Sequence, residues 1–447
     1  MAESVAREAK GHPLRFLIPA LIGATIFLGP VITEEQQTVV FGLLSDSLKA
    51  ALGAGINEAL LLVAGVAALG ALAVKLIAPQ GAEDSLVTQV FRTAWPWILL
   101  RLLGFAIATG VYFEVGPELL RLPDTGITAV KDIGQNVLVI YVGGLLLMPL
   151  LTDYGLMEFA GTLCRPLFRR LFRLPGRAAI DSLTSIAAAS GIAVLVTVSQ
   201  YQRGYYTVRE ACTIVCNFSL VSIPFCLLVA KVAGIGHLFF GWFLAVLCAC
   251  LACALILARI PPLARLPDRT VNDQPTPERE TDSGLAAAWQ AALERAGTGP
   301  GPAEYFRRAL RNIAIYTCAV IPPSMAVATL TAILLFHSPV ITTLTWPLAQ
   351  LLTLAGVAET SNIANGMLIG FADQFMPALV AAQVDSEYWR FVLAGLAVGQ
   401  IIFMSEFCIL ILRSPLPLNL LQLAWLFGLR TLLILPVLLL FARWLTG

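Results

Sequence analysis

The sequence predicts an all-α, polytopic membrane protein with about nine transmembrane helices and two re-entrant helical hairpins in an inverted-topology repeat. Three observations predict this fold class: the composition, the lengths of the apolar runs and a weak internal repeat. Of the 447 residues, 58% are apolar and only 13% are charged, whereas a soluble domain carries roughly a quarter charged residues. The formal charge of +1 leaves no basic surface for nucleic acid, so we expect no nucleic-acid partner.

Apolar runs long enough to cross about 30 Å of hydrocarbon as helices recur along the chain. They lie at 14–32, 57–78, 94–118, 133–152, 208–231, 237–259, 308–336, 387–412 and 418–443. Arg7 and Lys10 precede the first run, whereas residues 33–37 after it carry no basic side chain. Because Lys and Arg favour the cytoplasmic side of a membrane, we expect a multi-pass protein with a cytoplasmic N-terminus.

Two segments between the runs have a different character. Residues 155–174 set Phe, Leu and Met against four arginines, which favours an amphipathic helix in the membrane interface. Residues 261–307 are rich in Pro, Gly and charge, with a short helix candidate at Leu285–Arg295. This composition is typical of a flexible cytoplasmic linker, and a small regulatory domain is the alternative. The expected segments are scaffold spans (1–125), a first repeat (126–260), the linker (261–307) and a second repeat (308–447).

The repeat is carried by two broken apolar segments, 178–202 and 357–384. Each begins with an acid followed by hydroxyl or amide residues, at Asp181 and at Glu359, and each continues through small residues. Each is followed by a long span that contains Phe-Cys. Because unpaired backbone is tolerated in a membrane only against protein or a water-filled cavity, both segments are predicted to be re-entrant hairpins. An odd number of crossings per unit would invert the second copy, as in many secondary transporters.

An acid within the membrane is costly unless it faces a cavity, a partner or an ion. Asp181 and Glu359 are therefore the leading candidates for a solute site, with neighbouring polar groups as donors and acceptors. The candidate binding residues are Asp181, Ser182, Ser185, Ser190, Asn217, Glu359, Thr360, Ser361, Asn362, Asn365 and Glu406. The alternative is that the two acids only cap helices at the interface, and that Glu406 only pairs with Arg413. Arg101 and Arg430 are expected to be structural.

Motifs for catalysis, nucleotides or metals do not occur in the sequence. It has no GxxxxGK[ST], HExxH or GxSxG pattern and no pair of CxxC motifs, since the spacing occurs once, at Cys250 and Cys253 inside an apolar run. The chain is therefore predicted not to be an enzyme. The nine cysteines lie mostly in apolar runs without His or acidic neighbours, which favours helix packing over metal binding. No cofactor is expected, apart from Na⁺ or H⁺ as a coupling ion.

Four strings resemble the YjiH-type membrane proteins, which carry the nucleoside recognition (Gate) domain twice. They are CRPLFRRLFRLPGRAAIDSLTS from Cys164, QYQRGYYTVREA from Gln200, RIPPLARLPD from Arg259 and GVAETSNIANGMLIGFADQFMPALVA from Gly356. The Gate domain is similar to parts of concentrative nucleoside transporters and of the ferrous-iron transporter FeoB. The resemblance implies that 178–202 and 357–384 are the hairpins of those transporters. Their sodium-coupled nucleoside signatures do not appear here in the same form, so the domain's description is not a substrate assignment.

Two functions remain open at this point. The first is a secondary active transporter that moves a small polar solute (a nucleoside, an amino acid or a small peptide) across the bacterial inner membrane by alternating access. The second is a non-transporting membrane scaffold or a ligand-recognising receptor. For either function we expect membrane lipid as a partner and a homo-oligomer, with the first three spans as a fixed scaffold.

Overall fold

The computed structural model describes residues 13–32, 37–53, 55–77, 85–187, 190–219, 221–271, 284–412 and 414–447, without the side chains of 184–187, 190–193, 195, 406 and 409. These residues are almost entirely helical. The helices are α1 (Pro13–Leu28), α2 (Val40–Leu52), α3 (Gly55–Ile77), α4 (Leu86–Phe91), α5 (Trp95–Phe113), α6 (Gln135–Leu147), α7 (Pro149–Thr152), α8 (Leu156–Leu167), α9 (Arg177–Ala187), α10 (Ser190–Gln202), α11 (Val208–Phe218), α12 (Ile223–Val232), α13 (Phe239–Leu257), α14 (Leu285–Gly297), α15 (Pro302–Phe336), α16 (Val340–Leu354), α17 (Thr360–Ile369), α18 (Met376–Ala381), α19 (Glu387–Gly399), α20 (Ile409–Leu412) and α21 (Leu420–Thr446).

Shorter elements complete the chain. Strands β1 (Pro30–Ile32) and β2 (Gln37–Val39) pair antiparallel, with Val31 opposite Thr38. Single 3₁₀ turns lie at Glu118–Leu120, Gly236–Leu238 and Leu263–Arg265, and π-helical turns at Pro123–Ile127, Ala129–Gly134, Phe168–Phe172 and Met404–Cys408. The all-α prediction is therefore confirmed, with one small two-stranded exception.

Within the described residues, six helical segments are long and apolar enough to cross a membrane. They are Gly55–Ile77, Trp95–Phe113, Glu118–Thr152, Gly236–Leu257, Pro302–Phe336 and Leu420–Thr446. The bent pair α11 and α12 makes a seventh if it counts as one span. The chain is thus a multi-pass membrane protein. The expected nine spans stay a prediction: the first run forms a helix of only 16 residues, and the run 387–412 is interrupted after Gly399.

The chain divides into two compact units. The first unit comprises Met1–Val39, Met148–Pro300 and Val357–Gly447, and the second comprises Val40–Leu147 and Gly301–Gly356. This division groups the chain differently from the four segments expected above, because both hairpin segments fall in the first unit.

The second unit is built on the long helix α15, which packs against α3, α5 and α6. Gly104 of α5 lies against the backbone of α15, since a Cβ at this position would be 2.0 Å from the carbonyl oxygen of Pro322. Small residues allow such close helix contacts without a hydrophobic driving force from water. Polar contacts add to this packing: Gln135 Nε2 donates to Asn57 Oδ1 at 2.7 Å.

In the first unit, α13, α19 and α21 pack against one another. The expected linker helix forms as α14. Phe16 and Ala20 of α1 form a buried cluster with Ala292 and Ala296 of α14, and α8 packs against this cluster through Leu156 and Phe159. Arg295 Nε lies 3.3 Å from Glu158 Oε1. Burial raises the pKa of the Glu158 carboxyl, and the charge of Arg295 opposes this rise. The linker helix α14 is therefore packed on the first unit, whereas the composition of the linker favoured a flexible tether.

Candidate functional site

Each hairpin segment forms two helices that pack against each other. The first, 178–202, consists of α9 and α10, and the second, 357–384, consists of α17 and α18. Residues 370–375 form the turn at the tip of the second hairpin. Within the described residues, each segment is therefore a pair of packed helices, and the connecting turn is described for the second segment. Their re-entry into the membrane stays a prediction.

A broken helix follows each hairpin. After the first hairpin, α11 ends at Phe218 and α12 begins at Ile223. After the second, α19 ends at Gly399, residues 401–403 are irregular, and the helix resumes as the π-helical turn Met404–Cys408. Ile401 in this break has a φ of 62°, which is a strained conformation for a β-branched residue. Such breaks free backbone groups of the helix ends for contacts with other partners.

The hairpins pack crosswise on the broken helices. Helix α10 of the first hairpin contacts Met404–Cys408 and α20, which continue the second broken helix. Helix α18 of the second hairpin contacts α12, which continues the first broken helix. The rings of Phe225 on α12 and Phe375 at the second tip are 6.1 Å apart. The two hairpin segments and the broken helices that follow them therefore pack together within the first unit.

Arg430 on α21 joins the two broken helices. Its side chain is fully buried, and its Nε donates to the carbonyl oxygen of Gly399 at 2.7 Å. Its Nη1 donates to the carbonyl oxygen of Cys216 at 3.0 Å and to Asn217 Oδ1 at 3.2 Å. Carbonyl groups at a helix C-terminus carry partial negative charge, so one guanidinium serves both helix ends. The structural role expected for Arg430 is supported, and it lies at the centre of the site.

Gln400 links the second break to its hairpin. Its Nε2 donates to the carbonyl oxygen of Met367 on α17 at 2.8 Å and to Thr431 Oγ1 on α21 at 2.9 Å. Its Oε1 is buried without a hydrogen-bond partner in the described structure. This oxygen lies against Gly370, where an added Cβ would be 2.1 Å away. Glycine at the start of the tip therefore makes room for the amide.

The tip of the second hairpin also binds the first turn after the break. The amides of Met404 and Ser405 donate to the carbonyl oxygens of Phe371 at 2.8 Å and Ala372 at 3.2 Å. Ser405 Oγ donates to Asp373 Oδ2 at 2.8 Å, and the amide of Phe375 donates to Asp373 Oδ1 at 2.9 Å. Asp373 was not among the residues predicted from the sequence. The sequence nevertheless pointed to it, because Asp373 is the one acidic residue between Thr360 and Ala381, inside the predicted hairpin.

The two predicted acids lie at the hairpin bases. The Tyr206 hydroxyl donates a short hydrogen bond to Asp181 Oδ2, and the amide of Asp385 donates to Glu359 Oε1 at 3.2 Å. Each acid thus holds the first helix of its hairpin to the residues just before the following broken helix, 25 and 26 positions along the chain. Asp181 lies inside α9, and the Glu359 side chain makes no capping hydrogen bond at the start of α17, so neither contact is the helix cap of the alternative stated above. Convergence of the acids on one cavity stays a prediction.

The other predicted residues occupy different depths of the first unit. Ser182, Asn217 and Asn365 are buried, Thr360 and Asn362 are half-buried, and Ser361 is exposed. Of the described side chains in this set, Asn217 is the one that accepts a hydrogen bond from Arg430. The side chains of Ser185, Ser190 and Glu406, with Arg413 as the expected partner of Glu406, lie outside the part of the chain that the structure describes.

Comparison with known proteins identifies the domain that contains the first hairpin. A family described as Gate, nucleoside recognition, matches residues 135–236. An uncharacterized protein of Alkalihalophilus pseudofirmus is 33% identical over 444 residues, which cover 97% of this chain and 94% of that protein. No solved structure matches the chain. The matched domain runs from α6 through the first hairpin and first broken helix to Gly236.

Proposed function

Because this chain belongs to a family of membrane proteins that carry the Gate (nucleoside recognition) domain, we propose that it is a secondary active transporter. It moves a small polar solute, of the nucleoside, amino acid or small-peptide class, across the bacterial inner membrane by alternating access. The movement is driven by a gradient of Na⁺ or H⁺.

The observation that carries this proposal is the meeting of two broken helices at Arg430. Discontinuous helices supply backbone groups and helix dipoles to a solute near the middle of a membrane. Here the carbonyl oxygens of Cys216 and Gly399 accept from one guanidinium, so the ends of α11 and α19 lie against the same side chain. The Ser222 side chain makes no capping hydrogen bond to α12, which leaves the start of this half-helix for another partner.

Asp373 is the group that we propose for ion coupling. Its carboxylate lies where the second hairpin meets the second break, and Ser405 Oγ and the amide of Phe375 donate to it. Among the described residues, no basic side chain forms an ion pair with Asp373. A carboxylate of this kind favours a proton or a cation. Binding of either would change the contact between the hairpin tip and the broken helix.

The proposal is tested by uptake into proteoliposomes. A thermal-shift screen of nucleosides, amino acids, dipeptides and polyamines first selects a solute, because binding to the native state raises apparent stability. Uptake of that solute is then measured with an imposed Na⁺ or pH gradient. Coupled sites change one another's affinity by about 5- to 150-fold, and Asp373→Asn should lose this stimulation.

The matched control is Asp385→Asn, which neutralises an exposed acid outside the tip and keeps its backbone amide. This variant should respond to the gradient like the parent protein. Gradient-stimulated uptake that survives in Asp373→Asn would exclude Asp373 as the coupling group. Binding of a solute without any uptake would instead identify a receptor.

A further inference from the structure

The outer face of α8 and of the turn Phe168–Phe172 exposes a row of leucines. Leu163, Leu167 and Leu171 are 43%, 47% and 40% exposed. Their four-residue spacing places them on one side of the helix. A row of large apolar side chains on the surface of a packed unit favours an apolar partner, such as a second protein or a lipid bilayer.

Arginines border this leucine row. Arg169, Arg170 and Arg173 are exposed, and Arg170 and Arg173 form no ion pair within the described ranges of the chain. Leucines beside arginines are complementary to the boundary between acyl chains and anionic headgroups. A second copy in a symmetric contact would set the same arginines near one another. The charge therefore favours anionic phospholipid as the occupant.

The inner face of the same turn contacts the first helix break. Phe168 and Phe172 are 6% and 2% exposed, and their ring centroids lie 5.0 Å and 4.9 Å from that of Phe218. Phe218 is the last residue of α11, and Asn217 before it accepts from Arg430. The turn that carries the arginines thus lies directly on the end of the first broken helix.

The first hairpin is also in close contact with α8. A Cβ at Gly161 would be 2.5 Å from Ile180 Cγ1 and 2.7 Å from Ile180 Cα. A glycine at this position lets α8 approach the backbone of α9. One surface helix therefore touches both the first hairpin and the break that follows it.

We infer that anionic phospholipid binds the surface formed by Leu163, Leu167, Leu171, Arg169, Arg170 and Arg173, and that this binding orders the first helix break through Phe168 and Phe172. Lipid that fixes the outer face of the turn limits the motion of the phenylalanines on its inner face. The lipid would then stabilise the arrangement of Phe218, Asn217 and Arg430. This regulation goes beyond the proposed transport activity and can be measured without a known solute.

The test is hydrogen exchange of the full-length protein in nanodiscs of phosphatidylcholine alone or of phosphatidylcholine with phosphatidylglycerol. Phosphatidylglycerol should slow the exchange of the amides from Cys216 to Phe225. The triple variant Arg169→Gln, Arg170→Gln, Arg173→Gln should lose this protection, because each basic residue near an anionic surface contributes about a five-fold change in affinity.

Two further variants keep the inference falsifiable. Arg203→Gln, Arg265→Gln, Arg269→Gln removes three exposed charges from the same unit that lie outside α8 and the turn Phe168–Phe172, and it should keep the protection. Phe168→Leu should still bind phosphatidylglycerol but lose protection at the break. Equal exchange in both lipids, or equal loss in both triple variants, would overturn the inference. So would disulfide crosslinking of two Leu167→Cys chains across this surface in nanodiscs. None of these readouts depends on transport.

Discussion

The two broken helices of the first unit are held in different ways. The first is held by α21: the carbonyl oxygen of Cys216 in the last turn of α11 and Oδ1 of Asn217 both accept from Arg430. The second also accepts from Arg430, through the carbonyl oxygen of Gly399. It is held in addition by its own hairpin, because Met404, Ser405 and Gln400 donate to backbone carbonyls of residues 367–372. The polar amide residues near the two breaks, Asn217 and Gln400, thus serve different partners.

This difference indicates which parts move together. The second hairpin and the second break share hydrogen bonds from backbone and side chains, so we expect them to shift as one body. The first break is held by α21 and by the ring contacts of Phe218 with the turn Phe168–Phe172. A conformational change needs elements with two alternative arrangements, and the contacts favour the second hairpin together with Met404–Cys408 as one such element.

The largest effect is expected at the residue that both breaks share. Replacement of Arg430 by methionine removes the donor from two helix-end carbonyls and from Asn217. Hydrogen bonds to charged groups contribute about 1.5–3 kcal/mol each, and buried Met recovers part of this by packing, so the free energy of unfolding should fall by about 3 kcal/mol. Denaturant titration in detergent micelles measures this change.

Arg101→Met is the matched control, since Arg101 is a buried arginine of the second unit that, within the described residues, makes one hydrogen bond, of 3.3 Å to the carbonyl oxygen of Val90. It should lose clearly less stability. Hydrogen exchange should increase at both breaks in Arg430→Met. An increase at only one break would contradict the conclusion that Arg430 joins them.

The sequence was sufficient for the elements that depend on local pattern. Apolar run length predicts α3, α5, α13, α15 and α21, and the repeated order of acid, small residues and Phe-Cys locates both hairpins. The linker helix is also predicted, but its docking is not, because Ala288, Ala292 and Ala296 gain a packing role only when α1 and α8 lie beside them.

The site was less predictable because its chemistry depends on long-range contacts. Arg430 looks like an ordinary snorkelling arginine in the sequence, yet it bonds to residues 31 and 214 positions away. Asp373 lacks the run of hydroxyl residues that drew attention to Asp181 and Glu359. Carbonyl groups freed at a helix break are not encoded by side-chain type, so no residue pattern reveals them.

A smaller effect is expected at the base of the first hairpin. Tyr206→Phe removes the hydroxyl that donates to the partly buried Asp181 carboxylate. Loss of a hydrogen bond to a charged acceptor should lower the free energy of unfolding by about 1.5 kcal/mol. Tyr205→Phe, at an exposed position beside it, keeps the ring that stacks on Arg177 and should change stability little. Equal stability of Tyr206→Phe and the parent protein would show that Asp181 does not need this partner.

The smallest effect is expected at the base of the second hairpin. Glu359 accepts from a backbone amide in an exposed position, and a glutamine carbonyl can accept the same hydrogen bond. Glu359→Gln should therefore lower the free energy of unfolding by only about 0.5 kcal/mol, and Glu359→Ala, which has no acceptor, should lower it more.

Uptake of the selected solute separates the two interpretations of the acids. If Glu359 only holds the hairpin base, Glu359→Gln keeps gradient-driven uptake while Asp373→Asn loses it. If Glu359→Gln is as stable as the parent protein but no longer transports, the acid belongs to the solute site.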